Sequence, residues 1–355
     1  MLLQRGDEEE RKKGGVLIMM TEREFYQSVE QNIREYLPEE YTEAEISLST
    51  QVKANDMEQT GVVIRISGEV VTPVIYLGAF YEQYQQGRDM SEIMPEIAQT
   101  RINAIDDRIK GIDANLFTDY ENVRPKLQMR VYDTERNEKR LDRIVHHSYG
   151  DFTAAYSIML SNDTDQSMGV MITPQLLSSW GISKKQLHDD TILADLNRGT
   201  VLAPIQEMMM NAMDGSAYHN YLQDKEERPF VPDENEGVQM LCLTNGDRLN
   251  GAGLILNSVI QEKVANICEG NYYVLPSSVH EVLIVPDKGD MPEVSARVMN
   301  EMVRDINLSV VSPQDILSDK VQYYDAKSRT LMNAVAYERE HEKLPDAQIN
   351  RGKAI

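Results

Sequence analysis

Cysteine is almost missing from this chain: Cys242 and Cys268 are the only two among 355 residues. A secreted disulfide framework needs more, and both thiols sit in apolar surroundings, so they read as buried free thiols of a reducing cytoplasm. Histidine is nearly as scarce, at 6. No HExxH pattern and no Cys/His zinc spacing occurs, so neither a metal nor any other cofactor is expected. Long hydrophobic runs are missing too. No window approaches the roughly eighteen uninterrupted apolar residues of a membrane span, so no membrane association is expected. The opening Met1–Glu10 lacks the basic-then-apolar order of an export signal. Basic charge is in deficit, with 36 Lys and Arg against 58 Asp and Glu and a net charge of −22. Phosphate backbones attract basic surfaces, so direct nucleic-acid binding is not expected.

What is present is ordinary for a soluble globular protein, with 41% hydrophobic and 26% charged residues. The length exceeds one ordinary core and predicts two or three domains. Excess acid suits solubility, a basic partner or cation binding, and another protein is the partner class it admits. At the start, Lys12-Lys13-Gly14-Gly15 back-translates to a purine-rich, ribosome-positioning tract, with Val16–Ile18 as spacer before Met19 and Met20. Translation is therefore expected to begin at Met19 or Met20 in a bacterium, with residues 1–19 a non-native or disordered leader.

Taken in order, the pattern predicts an α+β fold with antiparallel-rich sheets and flanking helices. Residues 20–115 form a first α+β lobe. It opens on a capping box, Thr21 to Glu24, followed by Phe25, Val29, Ile33 and Leu37 at helical spacing. Strands follow at 45–52, 61–67 and 72–77, and a helical stretch over 78–107 is interrupted at Gly87 and Pro95. A second α+β lobe covers 116–221, with a strand at 126–132, a polar helix over 134–144, a hairpin at 152–160 and 167–172, and helices at 174–180 and 184–197. The charged, proline-containing stretch 222–237 has linker composition. Residues 238–335 read β-α-β-β-α-β, a split βαβ sandwich with two helices on one face of a sheet. Its centre is the hairpin of 271–275 and 280–285, and Val294, Val298, Met302 and Ile306 form the expected buried stripe of its second helix. Residues 336–355 read as a mobile tail.

Few residues suggest chemistry. Ser277, Ser278, His280 and Glu281 form a candidate groove between the two central strands. Strand period puts Ser278 and His280 on one face and Glu281 on the other, and no Gly-x-Ser-x-Gly elbow precedes them. Asn245, Gly246 and Gly251 mark a candidate anion turn between a strand and a helix, although the segment matches neither dinucleotide nor Walker patterns and Asp247 opposes an anion. His146, His147 and Asp151 read as a loop entering the Phe152 strand. Asp163, Asp165 and Ser167 copy the start of a calcium loop that lacks its later Gly and Glu. Met208, Met209, Met210 and Met213 form a soft apolar patch, either core filling or a peptide groove.

Four segments carry a family resemblance: Phe25 to Tyr41, the Thr72–Leu77 strand with its Tyr-rich helix, Leu176-Leu177-Ser178-Ser179-Trp180-Gly181, and Leu275-Pro276-Ser277-Ser278-Val279-His280-Glu281-Val282-Leu283. Together they resemble a bacterial domain-of-unknown-function family, fifty-six eighty-eight, common in Gram-positive gut bacteria. The resemblance runs from Thr21 to about Asp325 and implies a soluble, cytoplasmic bacterial protein, with no activity or site residues to transfer. With no complete catalytic set, the expectation is a non-enzymatic cytoplasmic interaction protein. One alternative is a hydrolase or transferase whose site converges from several lobes on Ser278, His280, His147 and Asp151. Another is an acidic decoy for a DNA-binding protein, which requires a continuous carboxylate stripe.

Overall fold

Thr21 caps the first helix as its spacing predicts, accepting from the Glu24 amide at 3.4 Å while the Glu24 carboxylate accepts from the Thr21 amide at 2.8 Å. The computed structural model describes residues 19–104, 115–163, 166–224, 228–232, 239–276, 278–288 and 295–342. Residues 1–18 of the leader read at 1–19, and residues 343–355 of the expected tail, lie outside them. Two compact units divide the chain, one of Met1–Lys53 with Glu58–Ala114, the other of Ala54–Met57 with Asn115–Ile355.

In the first unit, β1 (Glu45–Val52), β2 (Glu58–Arg65) and β3 (Val74–Tyr76) form an antiparallel sheet in that order. Helix α1 (Glu22–Asn32) supplies Phe25 and Val29, and α3 (Met90–Asn103) supplies Ile93 and Ile97, to a core with Val62, Ile64 and Ile75, against which Phe80, Tyr81 and Tyr84 of α2 (Gly78–Gln85) pack partly buried. Gly87 ends α2 at positive φ, as read, but Pro95 does not interrupt α3, which runs through it. Arg101 on α3 is fully buried, donating to the Ile64 carbonyl at 2.8 Å and to Glu69 Oε1 at 2.6 Å.

The second unit holds two sheets. One contains β4 (Leu127–Asp133), β5 (His146–Tyr149), β6 (Phe152–Asp163) and β7 (Gln166–Met171). Helices α4 (Pro174–Trp180) and α5 (Lys184–Arg198) follow, and Gly181 stops α4 in the left-handed region. Trp180 joins the core there, donating Nε1–H to the Phe117 carbonyl at 2.7 Å. The expected 134–144 helix forms only as short turns at Glu135–Asn137 and Glu138–Leu141.

The other sheet has six strands in the order β13-β12-β10-β11-β9-β8. These are β8 (Thr200–Pro204), β9 (Leu241–Asn245), β10 (Tyr272–Leu275), β11 (Val282–Pro286), β12 (Gln322–Asp325) and β13 (Thr330–Asn333). Strand β8 precedes the polar stretch 222–237 and β9 follows it, so one sheet spans that stretch. Within the stretch Phe230 is buried, its amide donating to the Ile267 carbonyl at 2.8 Å. Helices α6 (Ile205–Asp214), α7 (Ser258–Cys268), α8 (Ala296–Ser309) and α9 (Ala334–Glu342) flank the sheet. Helix α9 makes the start of the expected tail an ordered element.

The β-α-β-β-α-β order is present, but its helices lie on opposite faces. On one side, Tyr272, Val274, Val282 and Ile284 pack with Ile260 and Val264 of α7. On the other, Leu275 and Val285 pack with Ala296, Met299 and Val303 of α8. The reason is topological. Strands β9 and β10 run parallel around β11, and β11 and β12 run parallel around β10, all neighbours being antiparallel. Two right-handed crossovers that step the same way from oppositely directed strands must pass over opposite faces. Strand β12 steps past β10 because β8 already occupies the outer edge of β9.

The buried line of α8 also differs from expectation. Ala296, Met299, Val303 and Asn307 are buried, whereas Val298, Met302 and Ile306 are 41%, 49% and 42% exposed. Val294 lies outside the described residues. Both lines recur at helical spacing, and the buried one includes Ala296 and Asn307, which an apolar pattern underweights.

Candidate functional site

The two stretches singled out by sequence, around His280 and around Asn245, meet in space. Ser277 lies outside the described residues. Ser278 is buried, and its hydroxyl accepts from the His280 amide at 3.0 Å. The backbone of Ser278 bridges to Ile316, and the Val279 amide donates to the Asp315 carbonyl at 2.8 Å. His280 Nδ1 accepts from the Asn250 amide at 3.2 Å, and Nε2 faces Asp315 Oδ1 at 3.6 Å. The His280 carbonyl in turn accepts from Thr244 Oγ1 at 2.8 Å. An imidazole whose Nδ1 accepts from a backbone amide carries its proton on Nε2, towards Asp315. No lone pair is left to withdraw a proton from Ser278.

Glu281 stands just before β11, outside the strand, and its carboxylate lies within reach of the Ser278 and His280 side chains. Burial, the largest influence, raises its pKa, and it lies beside Cys242, whose thiol burial pushes up to about 12. A thiol held protonated in this way is a poor nucleophile.

The turn around Asn245 is closed on itself. Asn245 Nδ2 donates to the Leu249 carbonyl at 2.9 Å, and Asn245 Oδ1 accepts from the Leu249 amide at 3.1 Å. The Gly246 amide donates to the Gly199 carbonyl, the Arg248 amide to the Asn245 carbonyl, and the Ala252 amide to the Val279 carbonyl. Those amides are committed before any anion arrives. Gly251 is required for close approach: a Cβ there would lie 2.4 Å from Thr244 Oγ1, 2.5 Å from the Asn245 nitrogen and 2.8 Å from the His280 oxygen. Gly251→Ala is therefore expected to cost about 2–3 kcal/mol in urea denaturation, the scale of an overpacked core. An unchanged midpoint would show that this junction yields freely.

The remaining candidates lie elsewhere and apart. His146 Nδ1 contacts the Ile144 carbonyl, while His147, its neighbour on β5, stacks with His188 of α5 at 5.8 Å between ring centroids. Asp151 accepts from Gln322 at 3.1 Å and Asn333 at 2.6 Å, far in role from any base. Thr164 and Asp165 of the calcium-like stretch lie outside the described residues. Among the described residues no group of three His, Cys, Asp or Glu could hold a metal, and no helix is long and apolar enough to cross a membrane.

Sequence reading missed three features. His188 accepts or donates between two tyrosines, Tyr149 at 3.1 Å and Tyr156 at 3.0 Å, and burial lowers its pKa. Asp133, wholly buried, accepts from Ser318 Oγ at 2.5 Å and from the amides of Glu135 and Arg136, both at 3.1 Å. Asp195 of α5, also buried, accepts from the Met129 amide at 3.1 Å and from Arg198 at 2.8 Å. These partners are 39, 185 and 66 residues apart, so no local pattern announces them.

Exposed apolar surface is the last observation. Met208 is buried against Val201, Ala203 and Cys242, but Met209, Met210 and Met213 are 60%, 55% and 85% exposed. Together with the α8 line, they give the second unit two apolar helix faces open to solvent. A family model described as a family of unknown function (DUF5688) matches residues 22–326. A search of curated proteins found no match, and a search of solved structures found none either.

Proposed function

The chain belongs to the DUF5688 family, and from that premise we propose that it works by binding another protein in the bacterial cytoplasm, without catalysing a reaction. One observation carries the reading: both nitrogens of His280 are engaged, by the Asn250 amide and by Asp315. The polar letters of the Ser278–Glu281 segment thus tie two loops and a strand together. The exposed apolar faces of α6 and α8 supply surface of the kind that protein contacts use.

The hydrolase reading requires Ser278, His280, His147 and Asp151 in one cleft. His147 instead stacks on His188, and Asp151 serves Gln322 and Asn333. The decoy reading requires an unbroken run of carboxylate, and pairs such as Lys185–Asp189 and Arg329–Glu262 interleave the two signs.

Purified full-length protein is expected to turn over neither p-nitrophenyl acetate nor p-nitrophenyl phosphate above the level of folded Ser278→Ala and His280→Ala variants. Cross-linking in the native host is expected to join the second unit to a protein in fixed ratio. Turnover abolished by Ser278→Ala without loss of fold would overturn the proposal.

A further inference from the structure

The face of the six-stranded sheet that α7 covers, opposite α8, holds a hollow. Glu262, Ala265 and Asn266 of α7 and Glu269 just after it follow the spacing i, i+3, i+4, i+7, so they share one side of the helix. They border a pocket of about 340 Å³, closed from the sheet by Tyr324 of β12 and from the β12–β13 turn by Ala326 and Arg329. The space is there because Ala265, Gly270 and Ala326 have no side chain long enough to fill it. Its volume lies at the low end of small-molecule sites, which run from about 300 to 1,000 Å³.

A polar group without a partner stands at its floor. Tyr324 is 2% exposed, its ring stacked on that of Tyr272 with centroids 4.9 Å apart. The Tyr272 hydroxyl donates to the Gln261 carbonyl at 3.4 Å. The Tyr324 hydroxyl has no hydrogen-bond partner among the described residues, and the pocket is the space it opens on. Burial raises its pKa, so it keeps its proton and is a donor at neutral pH. A tyrosine enclosed by protein ordinarily finds a partner for its hydroxyl, and here the pocket is where one can enter.

The charges of the wall are already paired. Arg329 Nη2 meets Glu262 Oε1 at 2.7 Å, and Lys288 Nζ meets Glu269 Oε2 at 3.2 Å. An ion entering would have to break one of these pairs. Hydrogen-bonding capacity is nevertheless left over: Glu262 has a second oxygen to accept with, Arg329 has further N–H groups, and the Asn266 amide both donates and accepts. Donors and acceptors side by side on a wall without net charge suit hydroxyl groups, which do both at once. We propose that this pocket binds a small neutral polyol of monosaccharide size, its hydroxyls accepting from Tyr324 and Arg329 and donating to Glu262 and Asn266. The site goes beyond the protein-binding function and stands or falls without it.

The probes are glucose, galactose, mannose and fructose, titrated against full-length protein and read by saturation-transfer-difference NMR. A few neutral hydrogen bonds with little apolar contact predict a Kd on the order of 1 mM for at least one of them. Tyr324→Phe removes only the hydroxyl and keeps the ring on Tyr272, so it is expected to weaken that sugar about fivefold and to leave the urea midpoint by Trp180 fluorescence unchanged. Ala326→Leu, at a partly buried position lining the hollow, is expected to abolish the signal by filling it. Putrescine and acetate, a small cation and a small anion, are expected not to compete. No saturable signal from any of the four sugars at about fifty times that Kd would leave the pocket to solvent and overturn the site. An unchanged Kd in both variants would put the sugar elsewhere on the protein, and displacement by putrescine or acetate would make the ligand an ion; either result sinks the proposal.

Discussion

Arg101→Met is expected to destabilise the first unit by about 3–5 kcal/mol, the cost of removing one partner of a buried ion pair. The guanidinium is 0% exposed, and the Glu69 side chain is 17% exposed. It also donates to the Ile64 carbonyl on β2, and its Cζ stands 5.2 Å from the Tyr41 ring centroid. One side chain therefore ties α3 to the sheet and to the turn before β1. Methionine fills comparable volume, so most of the loss comes from the carboxylate and carbonyl left without a donor. A second exchange, Glu69→Gln, is expected to recover part of the loss in the Met background, since it removes the orphaned charge. The measurement is hydrogen exchange of the α3 amides in the full chain, because Trp180, the sole tryptophan, lies in the second unit and reports on that unit. Unchanged α3 protection in Arg101→Met would refute the clasp.

The second large effect is pH dependence from Asp195. Burial pushes its pKa up to about 7, against the opposing attraction of Arg198. An acid whose pKa rises on folding holds its proton more tightly folded than unfolded. Its contribution to stability is full below the unfolded value, about 3.9, and is lost as pH rises through about 7. The whole loss is on the order of 4 kcal/mol, at about 1.4 kcal/mol per pH unit. The difference in stability between wild type and Asp195→Asn is expected to follow this slope between about pH 5 and 7 and to flatten above. Urea titration followed by Trp180 fluorescence reads it, since Trp180 and Ala194 share a core. A difference independent of pH would mean that Asp195 stays ionised throughout.

Local chemistry was legible wherever neighbours in sequence decide it. Thr21 and Glu24 announced the first cap, Gly181 the end of α4, and the apolar runs at Tyr272 and Val282 a hairpin. Strand β8 was not legible as part of the C-terminal sheet. Thr200–Pro204 is short, and its partner β9 begins beyond a charged stretch that reads as a linker. His280 and Asn245 each attracted notice, but for chemistry their contacts do not provide. Asp315, which meets His280 from 35 residues away, carried no signal at all.

Composition and spacing alone established an α+β chain of antiparallel strands with flanking helices, poor in thiols and rich in acid, since propensity, capping and turn preference act over a few residues. Which face each helix covers, and whether Val298 or Met299 is buried, was decided only in three dimensions. Strand β8 took one sheet edge and sent β12 to the other, and right-handed crossovers then divided the helices between the faces. That choice left Met302 and Met209 exposed to solvent, a consequence of long-range pairing that no local pattern contains.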